Sequence, residues 1–93
     1  MKKRTFTSVW DAIEESAETA ANMRVRAELM VEIEHYVRAA KLSQTEAAKK
    51  LGITQPRLND LLRGRIDKFS LDALVNMLGH AGREVSVRVK KAA

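Results

Sequence analysis

The sequence predicts an all-α fold, a bundle of about five helices followed by one short C-terminal β-strand. Three observations lead there. The 93 residues are 45% hydrophobic with one Pro and four Gly, which suits one small folded core and leaves no room for two. Only two Phe, one Tyr and one Trp are present, so the core must be built from Ala, Leu, Ile, Val and Met, a composition that favours helices over a β-sandwich. Apolar residues recur at three- and four-residue steps along most of the chain and alternate only near its end, where strand period replaces helix period.

Ser8-Val9-Trp10-Asp11 reads as a cap followed by acidic first-turn residues, so a short first helix is expected there. With Phe6, its apolar residues Val9, Trp10 and Ile13 form a patch that either packs on the body or awaits a partner protein. Ser16 is the next cap. From Ala17 to about Lys41 the chain has no Gly or Pro, and this is the longest expected helix, with Leu29, Ile33, Tyr36, Val37 and Ala40 as its buried stripe. Glu28, Glu32 and Arg38 fall on its solvated face, and Glu34 and Arg38 are spaced for an i,i+4 pair.

Ser43-Gln44-Thr45-Glu46 is a capping box that opens a helix at Gln44, and Gly52 ends it. Thr54 caps the next helix, whose first turn accommodates Pro56, and which runs from Gln55 to about Arg63, before Gly64. Ile66 and Phe69 anchor a loop. Ser70 and Asp72 open a helix carrying Leu71, Leu74, Val75 and Leu78, closed by Gly79 or Gly82. Val85, Val87 and Val89 then alternate with Ser86, Arg88 and Lys90. A lone strand leaves its backbone groups unpaired, so these valines are expected either to pair with a second copy of the chain or to meet another protein's sheet edge; the third alternative is a frayed tail.

Charge is divided along the chain. Residues 2–4 are all basic, residues 8–36 carry seven acidic side chains against two basic, and residues 37–93 carry twelve basic against five acidic. A basic C-terminal part suits a polyanion, although charge by itself also describes many solvated helices. Absence of cysteine removes disulfides, thiol catalysis and Cys-based metal sites, and it fits a cytoplasmic protein. No apolar run of membrane-spanning length occurs, nor one following the basic start as in a signal peptide, so no membrane association is expected.

Residues 44–63 satisfy several constraints together: small Ala47 and Ala48 where two helices cross closely, a turn at Gly52, and Ile53, Leu58 and Leu61 in the angle between the helices. This is a helix-turn-helix. The exposed face of its second helix holds Gln55, Arg57 and Asn59, with Arg63 and Arg65 at and beyond its end. Gln and Asn bond bidentately to adenine and Arg to guanine in the major groove, while further Arg side chains neutralise phosphate. Gln55 stands in the first turn, the part of a recognition helix that meets base edges. Thr54 is a cap first and a phosphate contact second; Gln44 sits at a helix N-terminus that favours phosphate. Asp60 repels phosphate and is either left out of the site or assigned to orienting a neighbouring Arg. Lys49 and Lys50 are read as solubilising charge.

QTEAAKKLGITQPRLNDLLRG resembles the helix-turn-helix of the XRE, or lambda-repressor-like, regulators. With VWDAI, RAELM, IDKFSLDALVNML and a short strand, nearly the whole chain resembles the HigA-like antitoxins of type II toxin–antitoxin modules. The resemblance implies a lambda-repressor-like bundle that binds a palindromic double-stranded operator as a homodimer, represses its own operon and neutralises a RelE/HigB-type toxin. By position, Gln44, Gln55, Pro56, Arg57 and Asn59 fall where that family contacts DNA. Pro56 departs from the Ser or Thr of many relatives, leaving only apolar contact, for instance to a thymine methyl. Residues 1–93 are thus read as one helix-turn-helix DNA-binding domain, with an arm and short helix in 1–15, the helix pair in 44–63 and the strand in 83–91.

Two rival readings are a stand-alone XRE-type repressor and a protein-interaction module that never touches DNA. An enzyme is not expected. His35 and His80 lie on different helices without metal-ligand spacing, Glu14-Glu15 and Glu32-Glu34 form no acid/base pair, and the glycines fit no phosphate loop. No cofactor is called for.

Overall fold

A computed structural model describes residues 9–92, with side chains from residue 17 onward. Among the described residues there are four α-helices, α1 (Val9–Ala40), α2 (Gln44–Leu51), α3 (Gln55–Leu62) and α4 (Leu71–His80), with a short 3-10 turn at Ile66–Lys68 between the last two. Two expectations are corrected here. The short first helix and the long one are a single element of 32 residues, about 48 Å long. Ser16 is a good cap residue, but a cap marks a boundary only where the preceding chain cannot stay helical, and Asp11-Ala12-Ile13-Glu14-Glu15 contains no breaker. Among the described residues the bundle therefore has four α-helices and not the five expected. Phe6 lies outside the described residues and the side chains of Val9, Trp10 and Ile13 are not described, so the expected apolar patch falls outside the described part of the structure.

The second correction concerns residues 83–91, which form no strand. Alternation of Val85, Val87 and Val89 specifies an apolar face, but a strand exists only when another backbone pairs with it, and no described segment of this chain does so. Val85 is half-buried against the core, while Val87 and Val89 are 83% and 90% exposed.

The core forms where α1, α2, α3 and α4 meet. Ile33, Leu51, Leu58, Leu74 and Phe69 are its largest fully buried side chains. Along α1 the buried stripe is Met30, Ile33 and Val37, with Leu29 and Tyr36 half-buried. Ala40, expected in that stripe, is exposed, and Met30, not expected there, is buried. The chain leaves α1 through Lys41 at φ 54°, an uncommon left-handed conformation for a residue with a Cβ. The Glu34–Arg38 pair forms at 2.9 Å.

Arg26 ties the long helix to the distant turn. Its guanidinium donates to the carbonyl oxygens of Ile66 at 3.1 Å and Phe69 at 3.3 Å. This fixes the segment that follows α3 and orients Phe69, which is 1% exposed. No helix among the described residues is long and apolar enough to cross a membrane.

Candidate nucleic-acid interface

The geometry of residues 43–65 follows from local chemistry. Ser43 accepts from the Glu46 backbone N–H at 3.1 Å while the Glu46 carboxylate accepts from the Ser43 N–H at 3.0 Å, a reciprocal cap that fixes the first turn of α2. Donation to the Glu46 carboxylate from the Ser43 backbone N–H, and next from the Ser43 hydroxyl at 3.1 Å, holds this carboxyl below the usual carboxylate value. At the other end Ile53 N–H donates to Ala48 O at 3.0 Å and Gly52 N–H to Lys49 O at 3.2 Å, the paired bonds of a Schellman turn. Gly52 sits at φ 73°, and a Cβ built there meets the His80 ring at 2.8 Å. The turn is thus closed from below by α4. The exposed His80 lies against this corner.

Thr54 accepts from the Arg57 N–H at 3.3 Å and caps α3, and Pro56 lies in the first turn, where no helical N–H is required. Ala47 and Ala48 are buried under the crossing, as are Leu58 and Leu61 from α3. With those two leucines inward, Gln55, Pro56, Asn59 and Arg63 are all exposed. Gln55, Asn59 and Arg63 recur every four residues and so line one ridge of the helix. Gln44 and Thr54 are exposed at the N-termini of α2 and α3.

Besides the capping Thr54, three of the expected residues are engaged by the protein. The Arg57 guanidinium stacks over the Phe69 ring, 4.5 Å from its centroid, and the residue is half-buried. Stacking on an aromatic face holds the guanidinium plane in a fixed orientation and leaves its edge N–H groups available. Arg65 Nε lies 3.7 Å from the Asp60 carboxylate, the orienting contact expected for Asp60. Gln55 Oε1 accepts from the Thr45 hydroxyl at 3.1 Å, a link between the two helices absent from the sequence reading. Its signal is spacing alone: a hydroxyl in the first turn of α2 facing an amide in the first turn of α3. Lys49 and Lys50 are exposed in the last turn of α2.

The arrangement presents an amide, a second amide and a guanidinium in a row on a helix whose opposite face is anchored. Such a ridge has the width of one helix and offers donors and acceptors suited to base edges. A family model for the helix-turn-helix domain matches residues 12–90. A solved structure whose name assigns it to the XRE family of transcriptional regulators is similar, with 27% sequence identity and a TM-score of 0.72 over 80% of this chain and 83% of that one. No curated protein sequence matches.

Proposed function

The chain belongs to the helix-turn-helix domain family, and from that premise we propose that it is a sequence-specific double-stranded DNA-binding regulator of transcription, a binding protein and not a catalyst. The observation that carries this reading is the exposed ridge of Gln55, Asn59 and Arg63 on α3, set opposite the buried Leu58 and Leu61. In the proposed docking the first turn of α3 enters the major groove, with Gln55 and Asn59 toward bases and Pro56 toward a thymine methyl. Arg57, held on Phe69, reaches a base edge or phosphate; Gln44, Thr54, Arg63 and Arg65 contact the backbone.

The test is duplex binding against salt. Log affinity should fall linearly with log salt, by about 0.9 for each phosphate neutralised. Gln55→Ala should weaken the preferred duplex far more than random duplex. Equal loss on both removes Gln55 from base reading, and no binding to either duplex favours the protein-interaction module.

The finer reading is a homodimeric, HigA-like antitoxin. Exposed Val87 and Val89, in a segment without helix or strand, support pairing of residues 83–91 with a second copy, which would set two copies of α3 on a palindromic operator, with half-sites about 34 Å or a multiple apart. Val87→Pro should convert a dimer to a monomer by light scattering. The antitoxin role rests on the resemblance of the sequence, and it predicts a neighbouring gene whose RelE/HigB-like product co-purifies with this protein. A solitary gene with no co-purifying partner leaves a stand-alone repressor. Such a protein works in the cytoplasm, bound to the nucleoid.

A further inference from the structure

Resting on the reading that residues 83–91 pair with a second copy, we infer that the groove between α1 and the segment after α4 seats that copy's tail, with the partner's Val89 on its apolar lining and the partner's Lys90 and Lys91 against Glu28 and Glu32. The groove encloses about 650 Å³, and Leu29, Tyr36, Leu78 and Val85 supply its apolar lining. Its charged lining is mostly acidic. Glu28 and Glu32 stand one turn apart on α1 and Glu84 lies on the segment across from them, and all three are exposed. No ion pair among the described residues engages any of them. Arg83, also at the groove, stacks on Tyr36 with its guanidinium 5.3 Å from the ring centroid. Carboxylates thus outnumber guanidinium here on a chain whose net charge is +5.

An occupant that suits this lining brings an apolar side chain next to cations. The tail has that pattern: Val87 and Val89 are 83% and 90% exposed, with Arg88 between them and Lys90 and Lys91 after them. It does not fill its own groove. Ser86 is the last residue of the tail to line it, and residues 87–92 contain no Gly, Pro, Asn or Asp to turn the chain back. A second copy reaches the groove through symmetry. Opposite residues of an antiparallel pair point to the same face, so pairing centred on Val87 sets the partner's Val89 beside Val85, at the groove. The two-fold axis repeats the contact, and each tail lies in the other copy's groove. The paired tails thereby gain an apolar surface to pack on, without which a two-stranded ribbon is marginal.

Charge reversal tests this on the full chain without DNA, by sedimentation equilibrium. One variant reverses the tail, Lys90→Glu with Lys91→Glu, and the other reverses the groove, Glu28→Lys with Glu32→Lys; all four positions are exposed, and far-UV circular dichroism checks that each variant keeps its helices. Each variant alone should dimerise at least about tenfold more weakly than wild type, because attraction becomes repulsion at two cations on each side of the axis. Mixed in equal amounts, the two should form a heterodimer as tight as the wild-type dimer, since each tail then meets a groove of opposite charge. Either variant dimerising alone as tightly as wild type overturns the inference, and so do two variants that stay monomeric when mixed. A monomeric wild type removes the pairing reading and this inference with it. A wild-type dimer that Val87→Pro disrupts and charge reversal leaves intact keeps the pairing and refutes the groove alone.

Discussion

Replacing Gly52 by Ala probes the corner that sets the angle between α2 and α3. Two costs follow from the structure. At φ 73° an L-residue meets its own backbone, at about 1–2 kcal/mol. The added Cβ also lies 2.8 Å from His80 Cδ2, so the imidazole must leave its rotamer minimum, adding about 0.5–1.5 kcal/mol. The combined loss, about 2–3 kcal/mol, should lower the melting temperature of a domain this size by about 10–20 °C. Calorimetry and urea unfolding of Gly52→Ala measure it, and the same substitution in a His80→Ala background should cost only the backbone part. Gly79→Ala is the control: its Cβ meets nothing within 4 Å, it lies inside α4, and alanine there should stabilise by about 0.5–1 kcal/mol. A Gly52→Ala loss below about 0.5 kcal/mol refutes the strain argument; an equal loss with and without His80 refutes the steric one.

Three further outcomes are expected. Arg26→Met should destabilise by about 1–3 kcal/mol, because the carbonyls of Ile66 and Phe69 lose their side-chain donor; urea midpoints measure this, and a neutral result removes Arg26 as the tie to the turn. Lys41→Gly should stabilise by about 0.5–1 kcal/mol in thermal melts by releasing the left-handed conformation at φ 54°. Glu46 has a folded pKa below its unfolded value of about 4.5, so its contribution is complete above that pH and is lost as pH falls through the lower, folded value. Glu46→Gln should flatten this part of the acid limb in pH-dependent urea unfolding, and an unchanged slope removes Glu46 from acid sensitivity.

What could be read from the sequence was what adjacent residues decide among themselves. Ser43 with Glu46, Thr54 before Gln55, Ser70 before Leu71 and Gly52 after Leu51 each place a boundary through bonds spanning three to five residues, and α2, α3 and α4 begin where those caps predict. The alanines under the helix crossing were equally legible, because close approach constrains size. Fusion of the first two expected helices was not, since a cap signal competes with an uninterrupted run of helix formers. Nor was the missing strand, since alternation describes a face and pairing requires another backbone. In the candidate interface, exposure of Gln55, Pro56, Asn59 and Arg63 followed from period 3.6. The stacking of Arg57 on Phe69 joins residues brought together only by the fold, as does the reach of Arg26 to carbonyls 40 and 43 positions away.

Placement of α3 in the major groove is decided by removing purine N7 atoms from the DNA. N7 faces the major groove alone, and a 7-deaza purine deletes that acceptor without disturbing base pairing. Binding of a selected duplex should weaken about tenfold, one bidentate contact's worth of discrimination, when one particular adenine becomes 7-deazaadenine, and Gln55→Ala should be indifferent to that change. If no 7-deaza substitution anywhere in the site alters affinity, or if Gln55→Ala remains as sensitive as wild type, the ridge of α3 does not read bases through the major groove.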